Sequence, residues 1–356
     1  MKLKYNRRLD KIKRWTAPVG RKEYLKLDLN ENYSIFTNEL IKDLVKVDYF
    51  TLSCYPEYDR LIELLAKYID SNPKNITLVN GADQAIDLLL RLFFDDKSNV
   101  VMPSPVFSMY DHVFSVLGSK IKHIPYKLVY GNFEFPMEKV MKELASSDGV
   151  VLCNPNNPLG STIKRGYLIK IIKLTSQLNI PCIVDEAYFE FYGETVVNLV
   201  KKYSNLIIVR TFSKIFGIAG LRLGYIVASD DVTKQLLKIR GPWDINHFTV
   251  TFGETLLENK NIFLSKLKET KKIRQDLIDF CSSLGLEVYE SDANFVIVRF
   301  NDSTKILDFF AKNGILVNNI SNYSYSNGIL KGCIRITVPN TVGFEKLKSI
   351  LLEFVK

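Results

Sequence analysis

Arg210-Thr211-Phe212-Ser213-Lys214-Ile215-Phe216-Gly217-Ile218-Ala219-Gly220-Leu221-Arg222-Leu223-Gly224-Tyr225 sets one lysine between a serine and a glycine-rich turn, with an arginine eight residues on. The apolar runs Leu206-Ile207-Ile208-Val209 and Tyr225-Ile226-Val227-Ala228 bracket it and read as strands, the first of them buried. Burial at a strand end disfavours an ammonium and lowers its pKa, the condition under which an amine attacks an aldehyde. Gly217, Gly220 and Gly224 let backbone approach a ligand closely, and Arg222 can fork onto a phosphate. The alternative is an ordinary lysine on a surface loop; the rest of the chain chooses between them.

An imine-forming lysine beside phosphate-binding groups points to pyridoxal phosphate. Other stretches offer the parts such a site needs. Asn80-Gly81-Ala82-Asp83 turns a strand into a helix, and free N–H groups at a helix start bind anions. Asp83 is either part of that phosphate cup or a simple capping residue. Asp185-Glu186-Ala187-Tyr188 follows the buried strand Cys182-Ile183-Val184, so Asp185 stands at the carboxyl end of a strand, where α/β proteins bind ligands. There it can pair with a ring nitrogen, and Tyr188 can reach a ring oxygen; a helix cap and a core tyrosine are the alternatives. Cys153-Asn154-Pro155-Asn156-Asn157-Pro158-Leu159-Gly160 fixes a turn after another strand and offers Asn157 as a second donor. Phe107 either stacks on a cofactor ring or packs in the core. Arg335, within Cys333-Ile334-Arg335-Ile336-Thr337, needs an anionic partner, either substrate or a structural acid.

Strands at Thr77–Val79, Asn99–Met102, Lys120–Ile124, Gly149–Cys153, Cys182–Asp185, 206–209 and 225–228 alternate with helices, among them one from the Asn80 turn to about Phe94, one at Phe107–Leu117 and one at 166–178. That pattern predicts an α/β domain with a mostly parallel sheet over about 76–235. An amphipathic helix over 57–70 precedes it, after Tyr55-Pro56-Glu57. Residues 254–284 read as one long helix. Strands at Glu287–Tyr289, Phe295–Phe300 and Cys333–Val338, with helices near 303–313 and 341–355, read as a second, α+β domain completed by the short strand Leu25-Lys26-Leu27-Asp28-Leu29-Asn30-Glu31-Asn32. The expected division is 1–50 for an N-terminal arm and part of the small domain, 51–250 for the large domain and 251–356 for the rest of the small one. Residues 318–328 are the most loop-like stretch.

The chain has 356 residues, 47% hydrophobic, with a net charge of +9. Its mean hydropathy is +0.01, and no apolar run approaches the roughly 20 residues of a membrane span. Residues 1–26 carry ten of the 48 Lys and Arg against two of the 39 Asp and Glu, leaving 38 against 37 over the remainder. A nucleic-acid face on the body is therefore not expected, and the basic arm reads as solvated. Five scattered cysteines without a C-x-x-C, and no apolar signal segment, predict a cytoplasmic protein. His112, His123 and His247 lack metal-ligand spacing, so neither a zinc site nor a Ser-His-Asp hydrolase is expected.

Asn157-Pro158-x-Gly160, Asp185-x-x-Tyr188, and Ser213-Lys214 with Gly220-x-Arg222-x-Gly224 resemble the fold-type I pyridoxal-phosphate aminotransferases, within them the histidinol-phosphate aminotransferase group. Leu29-Asn30-Glu31-Asn32, Tyr55-Pro56, Gly81-Ala82-Asp83, Ala293-Asn294-Phe295 and Arg335-Ile336-Thr337-Val338 extend the likeness from about residue 25 to near the end. The resemblance implies a seven-stranded, mostly parallel sheet flanked by helices, and no metal. It implies that Lys214 bonds the cofactor and shuttles a proton, and that Asp185 pairs with the ring nitrogen. By the same resemblance Tyr188 and Asn157 hold the ring oxygen, Phe107 stacks on the ring, and the backbone of Gly81, Ala82 and Asp83, with Ser213 and Arg222, takes the phosphate. Tyr55 would reach the neighbouring subunit's cofactor in a homodimer, and Arg335, Asn30 and Asn157 would face the substrate. The implied reaction moves an amino group between L-glutamate and a small phosphorylated ketone such as imidazole acetol phosphate or dihydroxyacetone phosphate. Decarboxylation of phosphoserine or phosphothreonine on the same scaffold is the alternative. Two positions depart from the group: Val19 follows Pro18 where a tyrosine is usual, and Asn318 stands where a second substrate-side arginine is expected.

Overall fold

The computed structural model describes residues 7–12, 14, 16–32, 36, 38–45 and 47–355. Strand β1 (Leu25–Leu27) comes first. Then follow β2 (Ile76–Asn80), β3 (Asn99–Ser104), β4 (Lys120–Pro125), the hairpin β5 (Lys127–Val129) and β6 (Asn132–Glu134), β7 (Gly149–Cys153), β8 (Cys182–Asp185), β9 (Leu206–Thr211) and β10 (Leu223–Val227). The chain closes with β11 (Glu287–Tyr289), β12 (Phe295–Arg299), β13 (Ile315–Asn319) and β14 (Cys333–Thr337).

Among the described residues, seven strands form one sheet in the order β2-β10-β9-β8-β7-β3-β4. Every neighbouring pair runs parallel except those of β10, which is antiparallel to both β2 and β9. The inner strands β7, β8 and β9 are buried along their whole length because helices cover both faces, whereas the edge strand β4 exposes Lys120 and Lys122. Leu78, Val150, Leu152, Val184 and Ile208 pack into one core, and their neighbours Val79, Val151, Ile183, Ile207 and Val209 into another on the opposite face. A five-stranded sheet, β1-β13-β14-β12-β11, has its own core around Val296, Val298, Ile334 and Ile336. Strand β1 pairs parallel with β13, so the N-terminal segment completes this second sheet. Among the described residues no helix is long and apolar enough to cross a membrane.

Three expectations need correction. Residues 254–284 are not one helix: His247–Glu258 and Asn261–Ser283 are separate. Asn259 leaves the helical region (φ −108°, ψ 38°), and its side-chain amide donates to the Thr255 carbonyl at 2.8 Å, ending the first helix. The stretch 318–328 is not all loop, because Asn318 and Asn319 pair with Arg335 and Ile334 at the end of β13. Asparagine has little strand preference of its own; the ladder to β14 overrides it. The basic arm is not simply solvated. Arg8 forms an ion pair with Asp96 and donates to the Leu117 carbonyl at 2.7 Å, at the C-terminal end of the helix Ser108–Leu117. Arg21 bridges Asp28 and Glu31. Lys2, Lys4 and Lys13 lie outside the described residues. The β5–β6 hairpin and the helices Met137–Leu144 and Asp230–Ile239 were not legible in the pattern.

Candidate active site

The carboxyl ends of β2, β3, β7, β8 and β9 share one edge of the large sheet, the place where a parallel sheet leaves a crevice. Strand β10 runs the other way, so its start falls at that same edge. Leu223 pairs with Asn80 and Gly224 with both Val79 and Thr211. Arg222, just before β10, therefore meets the helix start Gly81–Asp83 after β2 and the turn Ser213–Lys214 after β9. The second sheet closes the crevice from above with Arg335 on β14. The result is a cleft of about 510 Å³ lined by Asp185, Tyr188, Asn157, Lys214, Arg222 and Arg335, among others.

At one end the start of the helix Gly81–Phe93, Ser213 and Arg222 form a cup of donors suited to an anion. The first N–H groups of the helix Gly81–Phe93 have no intrahelical partner and carry the positive end of its dipole. Arg222 has left-handed backbone (φ 55°), and its Nη2 donates to Asp83 Oδ2 at 3.0 Å while Nη1 donates to the Ala219 carbonyl at 3.1 Å. Asp83 thus fixes Arg222 rather than capping the helix. Thr211 Oγ1 donates to Ser213 Oγ and accepts from the Ser213 N–H, at 3.0 and 3.1 Å, holding that hydroxyl beside the cup. A Cβ on Gly224 would sit 2.8 Å from the Gly81 carbonyl carbon and 3.0 Å from the Ala82 nitrogen, so only glycine lets the two segments meet. Gly220 lines the cleft, and a Cβ there would meet no protein atom within 4 Å, so its space opens toward the cleft and not toward another segment.

At the floor, Asp185 is buried. Its Oδ1 accepts from the Ala187 N–H and its Oδ2 from the Tyr110 hydroxyl, both at 3.0 Å. Burial pushes its carboxyl up to about 6 despite those two bonds. Lys214 donates from Nζ to the Leu29 carbonyl at 3.1 Å and lies 5.5 Å from the Tyr188 ring centre. Burial first, then the Arg335 charge, lowers its amine to about 8. The Tyr188 hydroxyl accepts from Asn30 Nδ2 at 3.0 Å, and Asn30 is itself tied to Thr337 and Asn294.

On the side facing the second sheet, Arg335 Nη1 donates to Asn157 Oδ1 at 2.5 Å and Nη2 to the Asp28 carbonyl at 2.8 Å. Its Nε is buried without a partner. Among the described residues no carboxylate lies within ion-pair distance of Arg335, so the alternative of a structural acid fails. Because Arg335 takes the Asn157 oxygen, the amide nitrogen is the end of Asn157 left to donate. Phe107 lines the cleft from the cap of its helix. Tyr55 does not enter this cleft: it is 73% exposed and stacks on Trp243, ring centres 4.2 Å apart. The cleft also uses residues that sequence reasoning missed. Tyr110, buried behind the cleft wall on Asp185, lies one helical turn beyond Phe107, a spacing that could have flagged it. Tyr323 lies in the stretch read as loop, where no periodic signal exists.

A buried carboxylate, a phenol, a primary amide, a depressed lysine and a cup of N–H, hydroxyl and guanidinium donors fit a phosphorylated pyridine aldehyde. The comparisons agree. The model of the family described as aminotransferase class I and II matches residues 23–348. A histidinol-phosphate aminotransferase of Thermoanaerobacter pseudethanolicus is 35% identical over 336 residues, 93% of each chain. The crystal structure of the histidinol-phosphate aminotransferase from Clostridium acetobutylicum superposes with a TM-score of 0.82 at 26% identity, covering 93% of this chain and 99% of that one. The enzyme from Sinorhizobium meliloti, solved in complex with pyridoxal-5'-phosphate, shares the fold with a TM-score of 0.87 at 20% identity over 99% and 97% of the two chains. This chain belongs to the class I and II aminotransferases, and is a pyridoxal-phosphate-dependent aminotransferase of fold type I resembling those that act on histidinol phosphate.

Proposed function

We propose that the enzyme exchanges an amino group between L-glutamate and a small phosphorylated ketone, imidazole acetol phosphate or a compound such as dihydroxyacetone phosphate. The observation that carries this reading is Arg335: a buried guanidinium with an unspent Nε, across the cleft from the phosphate cup and without a carboxylate of its own. An unpaired buried cation calls for an anionic ligand, and both substrates bring one.

Pyridoxal phosphate, when bound, supplies an electron sink for the bond broken at the substrate Cα. Lys214 would bond the cofactor aldehyde, and its Nζ, whose lowered pKa keeps a large neutral fraction near pH 8, would take the proton from the substrate Cα. Asp185, its oxygens oriented by Tyr110 and the Ala187 N–H, would pair with the ring nitrogen and favour its protonated form. Tyr188 and Asn157 would donate to the ring oxygen, Phe107 would cover the ring face, and the backbone N–H groups of Gly81, Ala82 and Asp83, with Ser213 and Arg222, would hold the phosphate. Asn30 positions the Tyr188 hydroxyl and lies on the substrate side.

The reading includes a homodimer in which Tyr55 contributes to the partner's site. The exposed apolar side chains of Tyr49, Phe50, Leu52 and Tyr55 support such an interface. It also includes a cytoplasmic location, supported by five cysteines that are all free.

The test is a half-reaction. L-Glutamate alone should discharge the yellow absorbance of the holoenzyme with stoichiometric release of 2-oxoglutarate. Persistence of that band, with carbon dioxide released from phosphoserine or phosphothreonine, would replace amino transfer by decarboxylation.

A further inference from the structure

The loop between β13 and β14 folds back over the cleft and brings Tyr323 into its wall. Two contacts pin the loop. The Tyr325 ring stacks on His123 with centres 3.4 Å apart and planes 12° apart, and His123 Nδ1 lies 2.8 Å from Ser104 Oγ at the end of β3. The Tyr323 hydroxyl oxygen accepts the backbone N–H of Ser108 at 3.2 Å, at the start of the helix Ser108–Leu117. That bond occupies the oxygen and leaves the hydroxyl proton to be given elsewhere.

Arg335 faces the same space. Its Nη groups are engaged by Asn157 and the Asp28 carbonyl, while Nε, buried with the rest of the side chain, donates to nothing among the described residues. The Arg335 charge favours the ionised form of Tyr323, and Tyr323 in turn acts on Arg335, so the two groups are electrostatic neighbours. Asn318, opposite Arg335 in the β13–β14 ladder, spends its amide on the Asp28 carbonyl at 3.2 Å and carries no charge. Two phenols of the cleft lie near Arg335: Tyr188, which accepts from Asn30 and faces the ring-binding floor, and Tyr323, supplied by the loop.

We propose that the Tyr323 hydroxyl and the Arg335 guanidinium together receive the anionic end of the substrate, making Tyr323 a substrate-binding residue supplied by the β13–β14 loop. Tyr323 takes the role of second donor that a second arginine at position 318 would otherwise have. This rests on the amino-transfer reading of the cleft for its substrate, but not for its measurement.

The experiment compares the wild-type holoenzyme with Tyr323→Phe, using maleate, a dicarboxylate that cannot react, as the probe. Calorimetry gives the maleate Kd, and the glutamate half-reaction gives KM and the limiting rate separately. Loss of one hydrogen bond to a charged group corresponds to about tenfold or more in affinity. The maleate Kd and the glutamate KM should both rise by about that factor, with cofactor absorbance retained and the limiting rate within about threefold of wild type. An unchanged maleate Kd would overturn the proposal, as would loss of cofactor or of limiting rate with Kd preserved, which is what a purely structural role would give. If the wild type binds maleate but releases no 2-oxoglutarate, amino transfer fails as the reaction, and the maleate comparison still decides the role of Tyr323.

Discussion

Tyr110 donates its hydroxyl to Asp185 across 3.0 Å of buried space, linking a helix that follows β3 to the carboxylate at the end of β8. This bond works against burial, which holds the Asp185 carboxyl near 6. Tyr110→Phe should therefore push that pKa higher and weaken pairing with a protonated ring nitrogen. A hydrogen bond to a charged group contributes about 1.5–3 kcal/mol, so the cofactor Kd should rise at least tenfold. The sign of the pH effect follows. The carboxylate form is populated above its pKa, so wild-type cofactor affinity should fall as pH drops through about 6, and the Tyr110→Phe curve should be displaced to higher pH. Fluorescence titration of the apoenzyme between pH 5 and 8 checks both.

Lys214 titrates near 8 because its ammonium is desolvated and faces Arg335. The free amine is the reactive form, and it grows as pH rises through that value. The rate at which apoenzyme takes up pyridoxal phosphate should rise with pH and be half-maximal near 8, not near the 10.5 of an exposed lysine. Lys214→Ala should abolish turnover while circular dichroism shows an intact fold. A rate still climbing steeply above pH 9.5 would show that the amine is not depressed.

Gly224 and Gly220 belong to the same sequence motif but not to the same structural constraint. A methyl on Gly224 would collide with backbone of Gly81 and Ala82, which cannot move without opening the cup. Gly224→Ala should raise the cofactor Kd by more than tenfold. Gly220→Ala meets no protein atom within 4 Å and should leave the stability of the fold within about 0.5 kcal/mol in urea denaturation.

Behind the cleft, Arg210 and Glu186 form a buried ion pair at 2.7 Å, with the Phe189 ring 3.5 Å from the guanidinium carbon. Thr195 supports both partners. Replacing Arg210 by methionine leaves the Glu186 carboxylate buried and unpaired, which costs about 3–5 kcal/mol. Urea denaturation should show a loss of that size, and the double variant Arg210→Met, Glu186→Leu should recover part of it. A loss below about 1 kcal/mol in the single variant would mean that water reaches Glu186.

The sequence by itself determined where the chemistry-bearing residues lie on the chain and which elements carry them. Short apolar runs ending in Asp185, Asn157, Lys214 and Gly81 mark strand ends, because a strand buried on both faces must be apolar throughout and a polar residue can stand only where it leaves the sheet. The alternation of such runs with helices dictates a mostly parallel sheet, and a parallel sheet gathers those ends at one edge. The direction of β10 is a tertiary decision, taken by pairing with β2 and β9, and it is what brings Arg222 to the phosphate cup. The same holds for Tyr110, Tyr323 and the bond between Arg335 and Asn157. Each joins residues far apart in the chain through a single hydrogen bond, and such a bond leaves no periodicity to read. The break at Asn259 and the pairing of Asn318 were hidden for a related reason: one side-chain cap or one strand partner, each a matter of about a kilocalorie, outweighs the weak local preference of asparagine.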